Sequence, residues 1–131
     1  MDSAAKDEIA ELIAKWTQAV RHEDFAGIRA HHSDDFLMFD VPPPFQSRGL
    51  DAYMDTWKTF YQSQARPITF YFEQTEITAS DTVAFATAIG TCGYIEDGVK
   101  TSLKFRLTMG FEKREGRWLI LHEHHSLPAE S

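Results

Sequence analysis

Residues 118–128, WLILHEHHSLP, decide how the rest of the chain is read. The first half of this stretch is apolar sheet sequence, and the second half holds three of the chain's six histidines. Successive side chains on a strand take opposite faces, so Trp118, Ile120, His122, His124 and Ser126 are expected on one side. Leu119, Leu121, Glu123 and His125 take the other. A strand that starts apolar on both faces and ends polar on both is covered on two sides and finishes where water or a ligand enters. That end is the expected site.

Working outward, residues 99–111 carry the clearest pattern in the chain. Val99, Thr101, Leu103, Phe105, Leu107, Met109 and Phe111 alternate with polar residues that include Lys104, Arg106 and Thr108, so one face is nearly dry. Arg114-Glu115-Gly116 turns this strand into the last one, and the length of the loop sets the pairing. A three-residue loop puts Arg106 opposite His124 with both facing one cavity, where the guanidinium can clamp a substrate carboxylate. A four-residue loop puts Arg106 opposite Glu123 as a structural pair. It also sets Trp118, Ile120, His122 and His124 against Phe111, Met109, Leu107 and Phe105, and this continuous apolar wall favours it. Upstream, residues 68–79 and 82–95 read as two further strands, joined by Ser80-Asp81, with Glu96-Asp97-Gly98 as the next hairpin turn.

The helical spacing of Ile9, Leu12, Ile13, Trp16 and Val20 predicts an amphipathic helix over residues 4–22. Asp24 can cap a second, short helix that buries Phe25 and Ile28, and Ser33-Asp34-Asp35 supplies the turn after it. His22, His31 and His32 fall near these helix ends, where the dipole favours imidazolium, so they are expected in solvent. Residues 36–41, FLMFDV, read as a strand with Phe36, Met38 and Asp40 on one face. Pro42, Pro43 and Pro44 donate no ladder hydrogen bonds, so the strand stops and leaves Asp40 at its rim. A turn at Ser47-Arg48-Gly49 leads into a third helix, marked by Leu50, Tyr53, Met54, Trp57, Phe60 and Tyr61 and ended before Pro67.

Three helices ahead of a four-stranded antiparallel meander, with one short strand between them, predict an α+β fold of one domain over residues 1–131. The helices must cover one face of a long, twisted sheet, which then curls into a cone whose hollow opens at one end. The convex face is left for a second copy of the chain, so a homodimer is expected. A formal charge of -7 with no basic cluster argues against nucleic acid and anionic membrane as partners. The lone Cys92 has no disulfide partner within the chain, and the opening MDSAAKDEIAE has neither the basic start nor the apolar run of a secretion signal. A cytoplasmic location is the expectation.

The segments DDFLMFDVPPP, RGLDAYMDTWKTFY, RLTMGFEKREGRW and LHEHHSLP, in this order, resemble the SnoaL-like, ketosteroid-isomerase-like group of the nuclear transport factor two superfamily. The resemblance implies a cone-shaped α+β barrel of a curved, mainly antiparallel sheet wrapped around three helices, commonly dimeric, with a pocket in the cone. It further implies an isomerase, cyclase or dehydratase that works by proton transfer on an apolar, carbonyl-containing molecule without a cofactor. A noncatalytic ligand-binding or dimerisation module of the same fold is the alternative. Asp40, just ahead of a proline, stands where the isomerases carry their general base. His122 and His124 are the nearest counterparts of the late-strand histidine of the cyclases. The first helix offers Trp16 where the isomerases have a tyrosine, and the late strands offer no counterpart of their protonated aspartate. Trp16, Tyr53, Trp57 and Arg106 are the candidates for lining the substrate site. His122-x-His124 has the spacing of a metal-binding pair but lacks an evident third ligand, so no metal is expected.

Overall fold

A computed structural model describes residues 3–64 and 66–129. Helix α1 (Ser3–Arg21) and the short α2 (Phe25–Arg29) come first, followed by β1 (His32–Phe39), β2 (Ser47–Arg48) and α3 (Leu50–Gln62). Four strands complete the chain: β3 (Ile68–Ala79), β4 (Val83–Glu96), β5 (Val99–Arg114) and β6 (Arg117–Ser126). They form one six-stranded sheet in the order β2-β1-β6-β5-β4-β3. This is the expected α+β architecture, with the sheet curved but not closed. Among the described residues only the β1–β6 pair is parallel.

The helices pack on one face of the sheet because both carry a single apolar stripe. From α1, Ile9, Trp16 and Val20 are fully buried, and from α3 Tyr53 is. They meet Phe36 of β1, Met109 and Phe111 of β5 and Ile120 of β6. Polar ties fix the helices in place. The Tyr61 hydroxyl donates to the Val20 carbonyl at 2.5 Å, and the Arg21 guanidinium donates to the Phe70 carbonyl at 2.9 Å. Asp24 caps α2 as expected, its Oδ1 accepting from Gly27 N at 3.0 Å. Of the two residues expected beneath α2, Ile28 is buried, whereas Phe25 is 37% exposed and rests edge-on against the Tyr61 ring. A five-residue helix has too narrow a stripe to bury both.

Three expectations about the sheet are corrected. The first strand begins at His32, so Ser33-Asp34-Asp35 lies within it; the parallel partner β6 extends the pairing, with His32 opposite Ile120. Ser47 and Arg48 pair with Met38 and Leu37 as a short edge strand rather than forming a turn. The β5–β6 loop is neither three nor four residues long: Arg114 pairs with Arg117 around Glu115-Gly116, both at positive φ. Two-residue turns of that kind match the twist of the strands they join. The Asp97-Gly98 turn has the same form.

The third correction propagates. The β5–β6 ladder runs Phe111 to Ile120 and then Gly110 to His122, so Leu121 is an extra residue on β6, a β-bulge. Every side chain beyond it changes face. Trp118 and Ile120 point at the helices as the alternation predicts, but after Leu121 it is Glu123 and His125 that do so. His122 and His124 turn to the convex face. Gly110, which stands opposite His122, is the sequence mark of this irregularity.

Aromatic rings fill the expected conical hollow. Trp16 stacks on Phe72, which meets Phe105 edge-on at 5.9 Å. Gly90 makes room for this contact, since a Cβ there would stand 2.4 Å from Phe105 Cζ and 2.7 Å from Phe72 Cε1. Gly90→Ala is therefore expected to overpack the core and lower stability by about 1–3 kcal/mol. Urea unfolding checks this, and an unchanged midpoint would mean that the rings give way freely.

Candidate active site

The bulge places a carboxylate in the densest part of the core. Glu123 has no exposed surface, and three donors from three elements converge on it. His32 of β1 contacts Oε2 through Nε2 at 2.8 Å, and the Tyr53 hydroxyl of α3 donates to the same oxygen at 3.0 Å. His125, two residues along β6, contacts Oε1 through Nε2 at 3.0 Å. A second layer orients two of these donors. Trp16 Nε1 donates to the Tyr53 hydroxyl oxygen at 3.2 Å, and His32 Nδ1 donates to the Ile28 carbonyl at 2.8 Å. A carbonyl only accepts, so His32 Nδ1 carries a hydrogen.

Burial by itself pushes the Glu123 carboxyl upward, but hydrogen bonds from His125 and His32, with the attraction of their charges, outweigh it and hold the carboxyl at about 2. Burial pulls the His125 imidazole down, yet its hydrogen bond to Glu123 and the charges of Glu123 and Asp40 leave it raised overall. The Tyr53 phenol is pushed well up, by burial first and then by the Glu123 charge, so it keeps its hydrogen and serves as a donor.

His125 links this interior to the surface. Its ring lies flat on Phe105, centroids 5.2 Å apart and planes 19° apart. Its remaining nitrogen, Nδ1, stands 3.6 Å from Asp40 Oδ1, too far for a direct hydrogen bond. Asp40 follows the last residue of β1 on the inward parity, its side chain 30% exposed against 11% for His125. Its Oδ1 accepts from Val41 N at 2.8 Å, so the backbone entering the proline segment fixes the carboxylate. The result is an acid and an imidazole side by side at the end of the sheet, with a buried carboxylate behind the imidazole. Such a set can take a proton from one atom of a small molecule and offer one to another.

The remaining sequence candidates lie elsewhere. His122 and His124 face away from Glu123, with the Phe39 ring 5.0 Å and 5.3 Å from theirs, and His122 Nδ1 donates to the Leu37 carbonyl at 2.7 Å. They do not share a chamber with Asp40, because the Leu121 bulge reverses the alternation that aimed them there. Arg106 faces neither His124 nor Glu123 but stands opposite Ser126, exposed on the convex side, where its Nε donates to Ser126 Oγ at 3.0 Å. Trp16, Tyr53 and Trp57 are packed together in the core, and Trp57 Nε1 is buried without a partner among the described residues. His32 is buried, contrary to the expectation that it sits in solvent, while His22 is exposed.

Two open grooves lie away from this site. One of about 640 Å³ is lined by Asp34, Asp35, Arg114, Glu115, Arg117 and Leu119; one of about 360 Å³ lies between α2 and the start of α3. Among the described residues no three His, Cys, Asp or Glu side chains are grouped to hold a metal ion. No described helix is long and apolar enough to cross a membrane.

Sequence reasoning missed Glu123, His32 and His125. The available signals were Gly110 opposite the last strand and an acid flanked by histidines in an otherwise apolar strand.

A family profile described as a SnoaL-like domain matches residues 9–130. No curated protein sequence matches the chain. Among solved structures, an NTF2-like protein of unknown function from Pseudomonas putida KT2440 is 34% identical, with 98% of this chain and 89% of that one covered and a TM-score of 0.90. An NTF2-like protein with a cystatin-like fold from Novosphingobium aromaticivorans is 17% identical over 96% of this chain and 83% of that one, TM-score 0.85. The association domain of C. elegans CaMKII is 16% identical over 97% of this chain and 100% of that one, TM-score 0.80. The last two share the fold alone.

The buried carboxyl ties stability to pH in a definite direction. Its value in the folded chain, about 2, lies below the ordinary 4.5, so its contribution is full above pH 4.5 and is lost as pH falls toward 2. Glu123→Gln is expected to lack that acid-side loss and to cost about 3 kcal/mol at neutral pH, where His32 and His125 lose their anionic partner. Unfolding measured from pH 7 to pH 3 tests both. A variant with wild-type stability and an unchanged acid slope would show that the carboxylate contributes nothing.

Proposed function

The chain belongs to the SnoaL-like domain family of NTF2-like folds, and from that membership we propose that it handles a small molecule beside Asp40 and His125 and transfers a proton there. The observation that carries the reading is His125 itself, with one nitrogen held by a buried carboxylate and the other facing Asp40. Asp40, ionised, removes the proton next to a carbonyl; the C–H electron pair moves into the enolate, and His125 Nδ1–H donates to the carbonyl oxygen. Returning the proton from Asp40 to a different carbon completes an isomerisation, and delivering it instead to a β-hydroxyl, which leaves as water as the enolate forms the C=C bond, completes a dehydration. Neither route needs a cofactor. Phe105 beneath the imidazole supplies an apolar floor suited to an apolar carbonyl compound.

Deuterium exchange at the α-carbon of small apolar ketones tests this reading. The wild type is expected to exchange faster than buffer, and Asp40→Asn and His125→Gln each to lose about 100-fold or more of that rate. Wild-type exchange no faster than buffer, or exchange at the wild-type rate in both variants, overturns it.

A second reading is a homodimeric association module, favoured by the convex face. There Phe85, Gly110, His122 and Leu37 stand in register across four strands, and beside them Thr87, Thr108, His124 and Phe39. Phe85 is 50% and Val83 56% exposed on that side. Large apolar side chains exposed on a broad sheet face among His and Thr suit cover by a second copy. Phe85→Glu is expected to convert a dimer to a monomer in sedimentation velocity. A monomeric wild type would end this reading.

A further inference from the structure

Glu123 is held by two histidines, and only one of them reaches the surface. His125 stands beside Asp40 at the rim, whereas His32 is enclosed, its side chain as fully buried as that of Glu123. Proton inventory restricts what His32 is doing. Its Nδ1 is committed as a donor to the Ile28 carbonyl, so its Nε2, facing Glu123 Oε2 at 2.8 Å, either donates a second hydrogen or accepts one from the carboxyl. Tyr53 already donates to that same oxygen. A protonated carboxyl would satisfy the same contacts, its Oε2 hydroxyl donating to Nε2 while accepting from Tyr53, but the carboxyl is held at about 2 and is ionised at neutral pH, which leaves Nε2 as the donor. The arrangement fits a carboxylate and an imidazolium.

We infer that His32 is a positioning residue of this site: as an imidazolium it occupies Oε2 and balances the Glu123 charge, which leaves Oε1 to orient His125 toward Asp40. The inference rests on the proposed role of His125 and extends it inward by one residue. The groups that face this pair are few. Glu123 and Tyr53 face His32, with half-buried His31 beside it in the chain; Glu123 and Asp40 face His125. Cys92 is near enough to Asp40 to feel its charge.

The two histidines then compete for one carboxylate, and their removal has opposite consequences from removal of the acid. Without His32 the full Glu123 charge falls on His125 and strengthens its hold on a proton; without Glu123 that hold weakens. A role in packing alone predicts no such opposition.

The test is imidazole NMR on the whole chain, which does not depend on turnover. In the wild type at neutral pH, the nitrogen shifts of His32 are expected to report both nitrogens protonated. A neutral ring with a bare Nε2 overturns the inference, and this measurement needs no variant to fold. In His32→Gln the titration midpoint of His125 is expected to rise by about one pH unit, and in Glu123→Gln to fall by about as much. An unmoved or lowered His125 midpoint in His32→Gln also overturns it. Loss of ketone exchange in neither Asp40→Asn nor His125→Gln would end the functional proposal while leaving these NMR outcomes to stand or fall separately.

Discussion

The structure depends on keeping one negative charge inside an aromatic core. Glu123 is wholly enclosed among large apolar side chains, where an unpaired carboxylate would be prohibitive. Its three donors come from β1, α3 and β6, elements far apart in the chain. The charge is therefore satisfied only when the first strand, the third helix and the last strand are all in place. Breaking such a pair is costly even where the intact pair adds little to stability over an apolar replacement. Its structural effect here is to fix the relative position of those three elements and, through them, of His125.

A single inserted residue makes this arrangement possible. The Leu121 bulge divides β6 into two halves of opposite parity. In the first half Trp118 and Ile120 join the apolar core, and Trp118 also donates through Nε1 to Glu8 Oε1 of α1 at 3.0 Å. In the second half Glu123 and His125 replace them. The strand thus ends a hydrophobic layer and begins a polar network on the same face within a few residues. Bulges recur beside functional sites because they re-aim a side chain without breaking the sheet.

The aromatic filling of the cone determines where chemistry can occur. Phe72 and Phe105 occupy the space over Gly90, and Trp16 closes the stack from the helix side. Phe105 then serves two structures at once, as the end of the packed column and as the surface on which His125 lies. The imidazole reaches the rim beside Asp40, while the interior behind it is packed. Packing under the ring, with the hydrogen bond to Glu123, holds the imidazole in one orientation.

The sequence alone determined the α+β class, the three helices and their buried stripes, the long β3–β6 meander and the position of Asp40 at the end of an inward-facing strand. Each follows from a local signal: a 3.6-residue period, a 2-residue period, a turn pair such as Asp97-Gly98, or a proline run that ends a ladder. The parallel pairing that extends β1 back to His32, the burial of that histidine and the exchange of His122 and His124 for Glu123 and His125 came only with tertiary structure. The physical reason is that strand parity is cumulative. One residue left out of register by pairing between distant strands reverses every later side chain, and nothing in the alternation of residues 118–126 reveals it until β5 is laid alongside.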